Sequence, residues 1–358
     1  MSPSQVYIVR AAGREPAETV AGKVRTAYRA TGFNDRLAEG DFAALKIHFG
    51  ENNNTGYIKP AWLAGLIGDV RQKTAHAFLT DSNTLYVGRR SNSIDHLRLA
   101  WSHGFTPEAT GLPVIIADGL IGRDKLEPRS VQARTASSKI AGAILDSDAL
   151  IGLAHVTGHV QTGLGAAIKN IGMGCASRAG KLDQHSVTRP RVNAKQCRDC
   201  GVCLSFCPAA AIVQAEGCVV IEPAKCIGCG ECLVVCKAGA IKMKWDEDSR
   251  CLQEKMAEYA HRVLSHFQGK AVFINVLIHV TRDCDCMARN QKPIADDIGV
   301  LASLDPVAID QAAADLLIAQ AGGGDPLRAG YDIDWSDQLA HGEAIGLGRR
   351  AYTLVEIS

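Results

Sequence analysis

With 47% hydrophobic and 22% charged residues over a length of 358, the chain has the balance of a folded globular protein, which excludes a disordered or fibrous one. A net charge of +1, with no long run of Lys and Arg, leaves no electrostatic footprint for a polyphosphate backbone, so nucleic acid is not an expected partner. The start, "MSPSQVYIVRAAGREPAE", lacks the basic flank and apolar stretch of a signal peptide, and the longest apolar run, "AVFINVLI", is too short to cross a bilayer. The expectation is a cytoplasmic protein with no membrane partner. Thirteen cysteines in a reducing compartment then point to metal or redox chemistry rather than to a disulfide framework.

In chain order the pattern predicts strand 5–9, helix 17–30, strand 42–49, helix 60–73, strand 75–81, helix 93–103, and strands 112–118 and 149–154. Several strands are nearly continuous apolar runs, as strands covered on both faces should be. Helix 60–73 carries Trp62, Leu63, Leu66, Ile67 and Val70 at helical spacing. Beyond a cysteine-rich stretch come helix 251–267, with Leu252, Met256, Tyr259, Val263 and Phe267 on one face, and strand 271–278. Asp305 and Pro306 then read as the cap and first residue of the helix "PVAIDQAAADLL". Alternation of this kind predicts an α/β fold with a mostly parallel sheet. The loops leaving the strands, "GENNNTGY", "SNTLYVGRR" and "HVTGHVQTGLGAAIKNIGMGC", are unusually polar, and the carboxyl ends of parallel strands are where ligands bind.

The interruption is an internal duplication. "CRDCGVCLSFCPAAAI" begins at Cys197, and "CIGCGECLVVCKAGAI" begins at Cys226 and repeats every cysteine. Cys197, Cys200, Cys203 and Cys207 are spaced C-x2-C-x2-C-x3-C before Pro208; Cys226, Cys229, Cys232 and Cys236 repeat the spacing, with Lys237 in place of Pro. In two-cluster [4Fe–4S] proteins with this spacing the fourth cysteine ligates the other cluster. The expected sets are therefore Cys197, Cys200, Cys203 and Cys236 for one cluster, and Cys226, Cys229, Cys232 and Cys207 for the other. A zinc-ribbon pair is the competing reading, but zinc knuckles use two C-x2-C elements per ion, not three close thiolates and a fourth. The stretch looks like a bacterial two-cluster ferredoxin, with "AIVQAEGCVVIEP" as its hairpin around Glu216 and Gly217. The expected organisation is an α/β domain over 1–190 and 246–358, interrupted by a small α+β ferredoxin-like domain over 191–245.

The stretches "DSNTLYVGRRSNSIDHLRLAWSHGF", "HVTGHVQTGLGAAIKNIGMGCASRAGKLDQH", "DCDC" and "DIGVLASLDPVAIDQAAADL" resemble the family called domain of unknown function 362 (DUF362), in members with an inserted ferredoxin module. The resemblance covers nearly the whole chain. It implies an iron–sulfur protein of oxidoreductase type. A fainter similarity, of "GLGAAIK" to a glycine-rich lysine motif of nickel-pincer lactate racemases, would imply a racemase-like or organometallic site.

Within these segments His155 and His159 are candidate acid–base or metal-binding side chains, with ordinary structural histidines as the alternative; His185, at the end of the same stretch, is a further metal-ligand candidate. Lys169, after "GLGAAI", either follows an anion-cradling glycine loop or starts a helix; it is a candidate to hold a carboxylate or donate a proton. Asp81 opens a polar cluster at a strand end, where turn formers are also common. Cys218 and Cys251 read as ordinary thiols. Cys175, Cys284 and Cys286 lie within the family-like segments and are candidates for a third metal centre, with His155, His159, His185, substrate or solvent as fourth ligand; the alternative is a redox-active or merely packed C-x-C.

Two functions are in view. One is an iron–sulfur oxidoreductase that passes electrons from an external donor, a ferredoxin or flavodoxin, through two [4Fe–4S] clusters to a small-molecule substrate or metal site. The other is a non-enzymatic electron carrier or metallocofactor assembly factor. A concave pocket lined by the strand-end loops would favour the enzyme.

Overall fold

The computed structural model describes residues 2–86, 88–126, 138–185, 190–207, 209–226, 231–242 and 248–358. Eight strands form the central sheet: β1 Ser4–Arg10, β2 Ala43–Ile47, β3 Ala77–Asp81, β4 Val114–Ile116, β5 Ala149–His155, β6 Ala271–Leu277, β7 Gly299–Ser303 and β8 Tyr352–Glu356. Their order is β8-β1-β7-β6-β5-β2-β3-β4. The run β6-β5-β2-β3-β4 is parallel throughout, β7 is antiparallel to both neighbours, and β1 pairs with β8 in parallel. The expected α/β fold with a mostly parallel sheet is therefore present.

All five residues of β2 and all seven of β6 are buried, because helices cover the sheet on both faces. Successive strand residues face opposite ways and feed separate cores. Ala44, Leu150 and Phe273 join one core with helices α6 (Ser249–Phe267) and α7 (Pro306–Gln320); Leu45, Ile151 and Ile274 join another with α1 (Ala17–Ala30) and α2 (Ala64–Lys73).

The six expected strands are all present, with ends shifted by a few residues. Strands β7 and β8 were not expected. β7 is five residues that run almost directly into the Asp305 cap, and β8 is an edge strand with no buried residue. Asp305 caps α7 as its sequence predicts, accepting from the N–H groups of Val307 and Ala308 at 2.9 and 3.0 Å. The expected helix 60–73 begins as a 3-10 turn at Pro60–Leu63 and becomes α-helical at Ala64, with Pro60 supplying the fixed φ of a helix start.

Residues 155–165 form neither a helix nor an open loop. Thr157–His159 and Gly163–Gly165 pair as a short hairpin, which lies against the loop 281–287. Gly158 permits that approach, since a Cβ there would fall 2.3 Å from the Arg282 carbonyl oxygen, while its N–H donates to Thr281 O at 2.8 Å. Three further helices complete the frame: α3, Ser93–Ser102, α4, Ala167–Gly172, and α5, Arg178–His185.

The cysteine-rich segment has its own small core of Cys203, Ile212, Val219, Ile221, Cys232, Leu233 and Ile241. Its hairpin, Ile212–Ala215 with Cys218–Ile221, turns at Glu216-Gly217 as expected, and Gly217 takes φ 70° there. Among the described residues no helix is long and apolar enough to cross a membrane.

Candidate functional site

Strands β2, β3 and β4 step outward in one direction, whereas β5 lies on the other side of β2, so the sheet has a switch point between β2 and β5. A crevice beyond the carboxyl ends at such a point is where open α/β sheets bind ligands. A cavity of about 610 Å³ lies there, large enough for a small organic molecule. Its lining comes from the ends of β2 (Lys46, His48), β3 (Asp81) and β5 (His155), from the hairpin, from α4 and α5, and from the loop carrying Cys284 to Met287. Four basic side chains, Lys46, Arg90, Lys169 and Lys181, face it with two carboxylates, Asp81 and Asp285; Leu85, Met173, Leu252 and Met256 supply apolar wall.

Asp81 is committed to a buried charge network. One carboxylate oxygen accepts from Ser82 N–H at 2.9 Å and faces Lys46 Nζ at 3.0 Å; the other faces Arg90 and His96, each at 3.7 Å. Burial alone would raise its pKa, but the charges of Lys46, His48, His96 and Arg90 outweigh burial and hold it well below the usual carboxylate range. Arg90 also donates to Glu51 at 3.0 Å and His48 at 2.7 Å, and bonds the Tyr86 hydroxyl. Lys181 is held by three neutral acceptors, Ser82 Oγ, Asn83 O and Ala176 O.

Lys169 differs from the other cationic groups. Among the described residues its ammonium makes no hydrogen bond and no ion pair, and it faces the cavity. Burial first, and Arg90 next, lower its pKa to about 8, so it is mostly charged at neutral pH and able to give up a proton. It is carried on α4, whose first amides, Ala167 and Ile168, donate to the Asp310 carboxylate at 2.9 and 2.8 Å. That carboxylate takes the donors an incoming anion would need, which overturns the anion-loop reading of "GLGAAI" in favour of a turn into a helix. Asn170 pins the same helix to the sheet through Lys46 O at 3.2 Å and Leu153 O at 3.1 Å.

The histidines separate into distinct roles. His155 Nδ1 bonds Asp285 at 2.9 Å and Nε2 bonds Ile278 O at 2.9 Å, so both nitrogens donate to acceptors and neither is free for a metal or a substrate. The expectation of His155 as a catalytic or ligating group is thereby corrected: it orients Asp285, the residue between the two cysteines. Burial would lower its pKa, but the Asp285 charge and hydrogen bonds raise it above the ordinary 6.5. The contact therefore contributes its full stability below pH 6.5 and loses it as pH rises through the raised value. Amide exchange in loop 281–287, corrected for intrinsic base catalysis, should accelerate across that window in the native protein and lose this dependence in Asp285→Asn.

His159 faces the cavity; a ring nitrogen of His159 and the sulfurs of Cys284 and Cys286 all lie within 4.8 Å of one another. His185 faces it too, its pKa pushed down to about 3 by burial and by Lys169, Lys181 and Lys255. Cys284 and Cys286, expected as ligands of a third metal centre or as a redox-active or packed C-x-C, are joined as a disulfide, because the tight C-x-C loop turns both side chains to the same wall. Cys175 does not join them. It is fully buried in the core under the sheet, and burial pushes its thiol up to about 12, so the expected convergence of three sulfurs is not formed.

Cys197, Cys200, Cys203 and Cys236 line one small cavity of the cysteine-rich segment. Cys207, Cys226 and Cys232 pack in the same apolar cluster; Cys229 and Pro208 lie outside the described residues. Leu85, which lines the large cavity, belongs to this apolar cluster as well, together with Leu182 of α5. Helix α5 thus presents Lys181 and His185 to the large cavity and Leu182 to the cysteine-rich segment.

The family model described as "Domain of unknown function (DUF362)" matches residues 43–315, three-quarters of the chain. The chain belongs to the DUF362 family. The DUF362 match takes in every cavity-lining residue named above and the cysteine-rich segment. Among solved structures, the lactate racemase apoprotein from Thermoanaerobacterium thermosaccharolyticum is 12% identical, with a TM-score of 0.43 over 87% of this chain and 57% of that one. A structural-genomics protein from Thermotoga maritima is 8% identical, with a TM-score of 0.36 over 74% of this chain and 51% of that one. The chain thus spans little more than half the length of either. No curated protein matches it.

Several cavity residues escaped the sequence reading. Lys46 could have been found as a lone charge inside the apolar strand "FAALKIHF". Arg90, Lys181 and Asp285 carried no local signal, because their places are set by loops that fold over the sheet end.

Proposed function

We propose that the chain is a cytoplasmic iron–sulfur oxidoreductase in which residues 191–245 form a two-cluster ferredoxin-like domain and the large cavity binds a small organic anion that is reduced there. The observation that carries this reading is the shared wall: Leu85 and α5 contribute to both the cavity and the apolar core around the cysteines. The donor set also fits. Four soft sulfurs surround one small space, and backbone N–H groups of Ala211 and Ala240 donate to the sulfurs of Cys207 and Cys236 at 3.2 Å, the kind of contact that tunes iron–sulfur centres. The [4Fe–4S] clusters, when bound, supply one-electron transfer.

The chain's own residues do the rest. Lys169 meets the substrate's carboxylate or passes it a proton, Arg90 and Lys46 keep the local potential positive, and the apolar wall displaces water and strengthens those charges. The sequence carries no nicotinamide or flavin fingerprint, so the electrons come from a separate ferredoxin or flavodoxin. A cavity lined by the strand-end loops favours this reading over a simple electron carrier, which needs no binding site for a small molecule.

The test starts from the full chain, purified and reduced anaerobically by a ferredoxin-class donor, then mixed with a panel of small carboxylates and their uncharged amides. Reoxidation, followed by visible absorbance, is expected with one or more carboxylates and not with the matching amides. Protein that keeps its electrons against every member, yet yields them to a protein acceptor, would support the carrier instead.

A further inference from the structure

One reactive group in the cavity has no part in the function proposed above: the Cys284–Cys286 pair. The loop that holds it is fixed at many points. Asp285, between the cysteines, is gripped by His155, and its carbonyl accepts from Glu51 N–H at 2.9 Å. Met287 N–H donates to Cys284 O at 3.0 Å, Thr281 Oγ1 to Asp283 O at 2.7 Å, and Tyr86 Oη to Cys286 O at 3.4 Å. Both sulfur-bearing residues reach the cavity lining from this frame.

His159 decides what chemistry the sulfurs meet. Its Nδ1 lies 3.2 and 3.1 Å from the backbone N–H groups of Gln161 and Thr162 and 3.0 Å from Thr162 Oγ1. Backbone N–H groups can only donate, so Nδ1 carries no proton. Burial, with Lys169 and His185 nearby, keeps the ring neutral. The remaining proton therefore sits on Nε2. A neutral imidazole in this tautomer is a hydrogen-bond donor to sulfur; to ligate a metal through Nε2 it would have to lose that proton.

We propose that Cys284 and Cys286 form a reversible dithiol–disulfide couple that exchanges two electrons and two protons at the cavity wall. On reduction the S–S bond breaks, two electrons enter from a one-electron donor of the ferredoxin class in two steps, and two protons are taken up, leaving two thiols. Oxidation reforms the bond and releases the same electrons and protons to an organic acceptor in the cavity. As a device that gathers single electrons for a two-electron reduction, the couple rests on the function proposed above; as a redox couple it can be tested without it.

The sequence provides a convenient probe. Tryptic cleavage after Arg282 and Arg289 releases "DCDCMAR", which contains both cysteines and no others. The anaerobically purified full chain is equilibrated in buffers of reduced and oxidised dithiothreitol, quenched in acid, alkylated and digested. The peptide should pass from unlabelled to doubly labelled in one transition, with the singly labelled form always minor. A peptide doubly labelled in every buffer, or never labelled, overturns the couple. So does zinc or iron, beyond the clusters' own iron, that leaves only when both thiols become alkylated. A clean transition in protein that no carboxylate reoxidises would keep the couple and reject the substrate reading.

Discussion

Replacing Asp81 with Ala should lower the stability of the folded chain by about 3–5 kcal/mol, the usual cost of removing one partner from a buried ion pair. The carboxylate is 4% exposed and compensates Lys46, 1% exposed, at 3.0 Å, as well as Arg90 at 3.7 Å. Glu51 still pairs with Arg90 in the variant, but among the described residues the Lys46 ammonium is left with the neutral Asn170 Oδ1 at 2.8 Å. Denaturant unfolding is the appropriate measurement: the midpoint should fall with little change in slope. Lys46→Met combined with Asp81→Leu should recover much of the loss, because removing both charges leaves none of them buried and unpaired. A single variant as stable as the native chain would show that Asp81 is not the anchor of the network.

Lys169→Met should weaken binding of a carboxylate ligand by roughly 10- to 100-fold, the range of a charge-assisted hydrogen bond in a partly closed site. Stability should change little, since among the described residues the ammonium has no partner to abandon. The pH dependence gives a sharper signature. Burial lowers the Lys169 pKa to about 8, so in the native chain carboxylate affinity should decline as pH rises through that value; in the variant the decline should shrink to the part that Lys181, also lowered to about 8 by burial, contributes. Titration calorimetry with a ligand from the carboxylate panel, at several pH values, reads both effects.

Much of the scaffold was legible because the parallel strands are buried on both faces and therefore read as apolar runs. β7 escaped because five residues running into a helix cap carry no period of their own, and β8 because an edge strand has no buried face to show. In the site, position at a strand end was enough to find Asp81, and the family-like segments led to His155, His159, Lys169 and the C-x-C pair. Roles were harder to read than places. His155 serves Asp285 rather than a substrate, and Cys175 lies in the core, because those outcomes depend on what the 281–287 loop and α4 pack against. Lys181 and Arg90 gain their places from contacts to distant backbone carbonyls and carboxylates, which no local spacing announces.

We propose that the cysteine-rich segment feeds electrons to the cavity through two [4Fe–4S] clusters. Iron and acid-labile sulfide, measured per chain in anaerobically purified protein, test it most directly. The expected result is about eight of each, falling to about four in Cys203→Ser and in Cys226→Ser as one cluster is lost at a time. Protein that carries zinc in place of iron, or no sulfide, would contradict it.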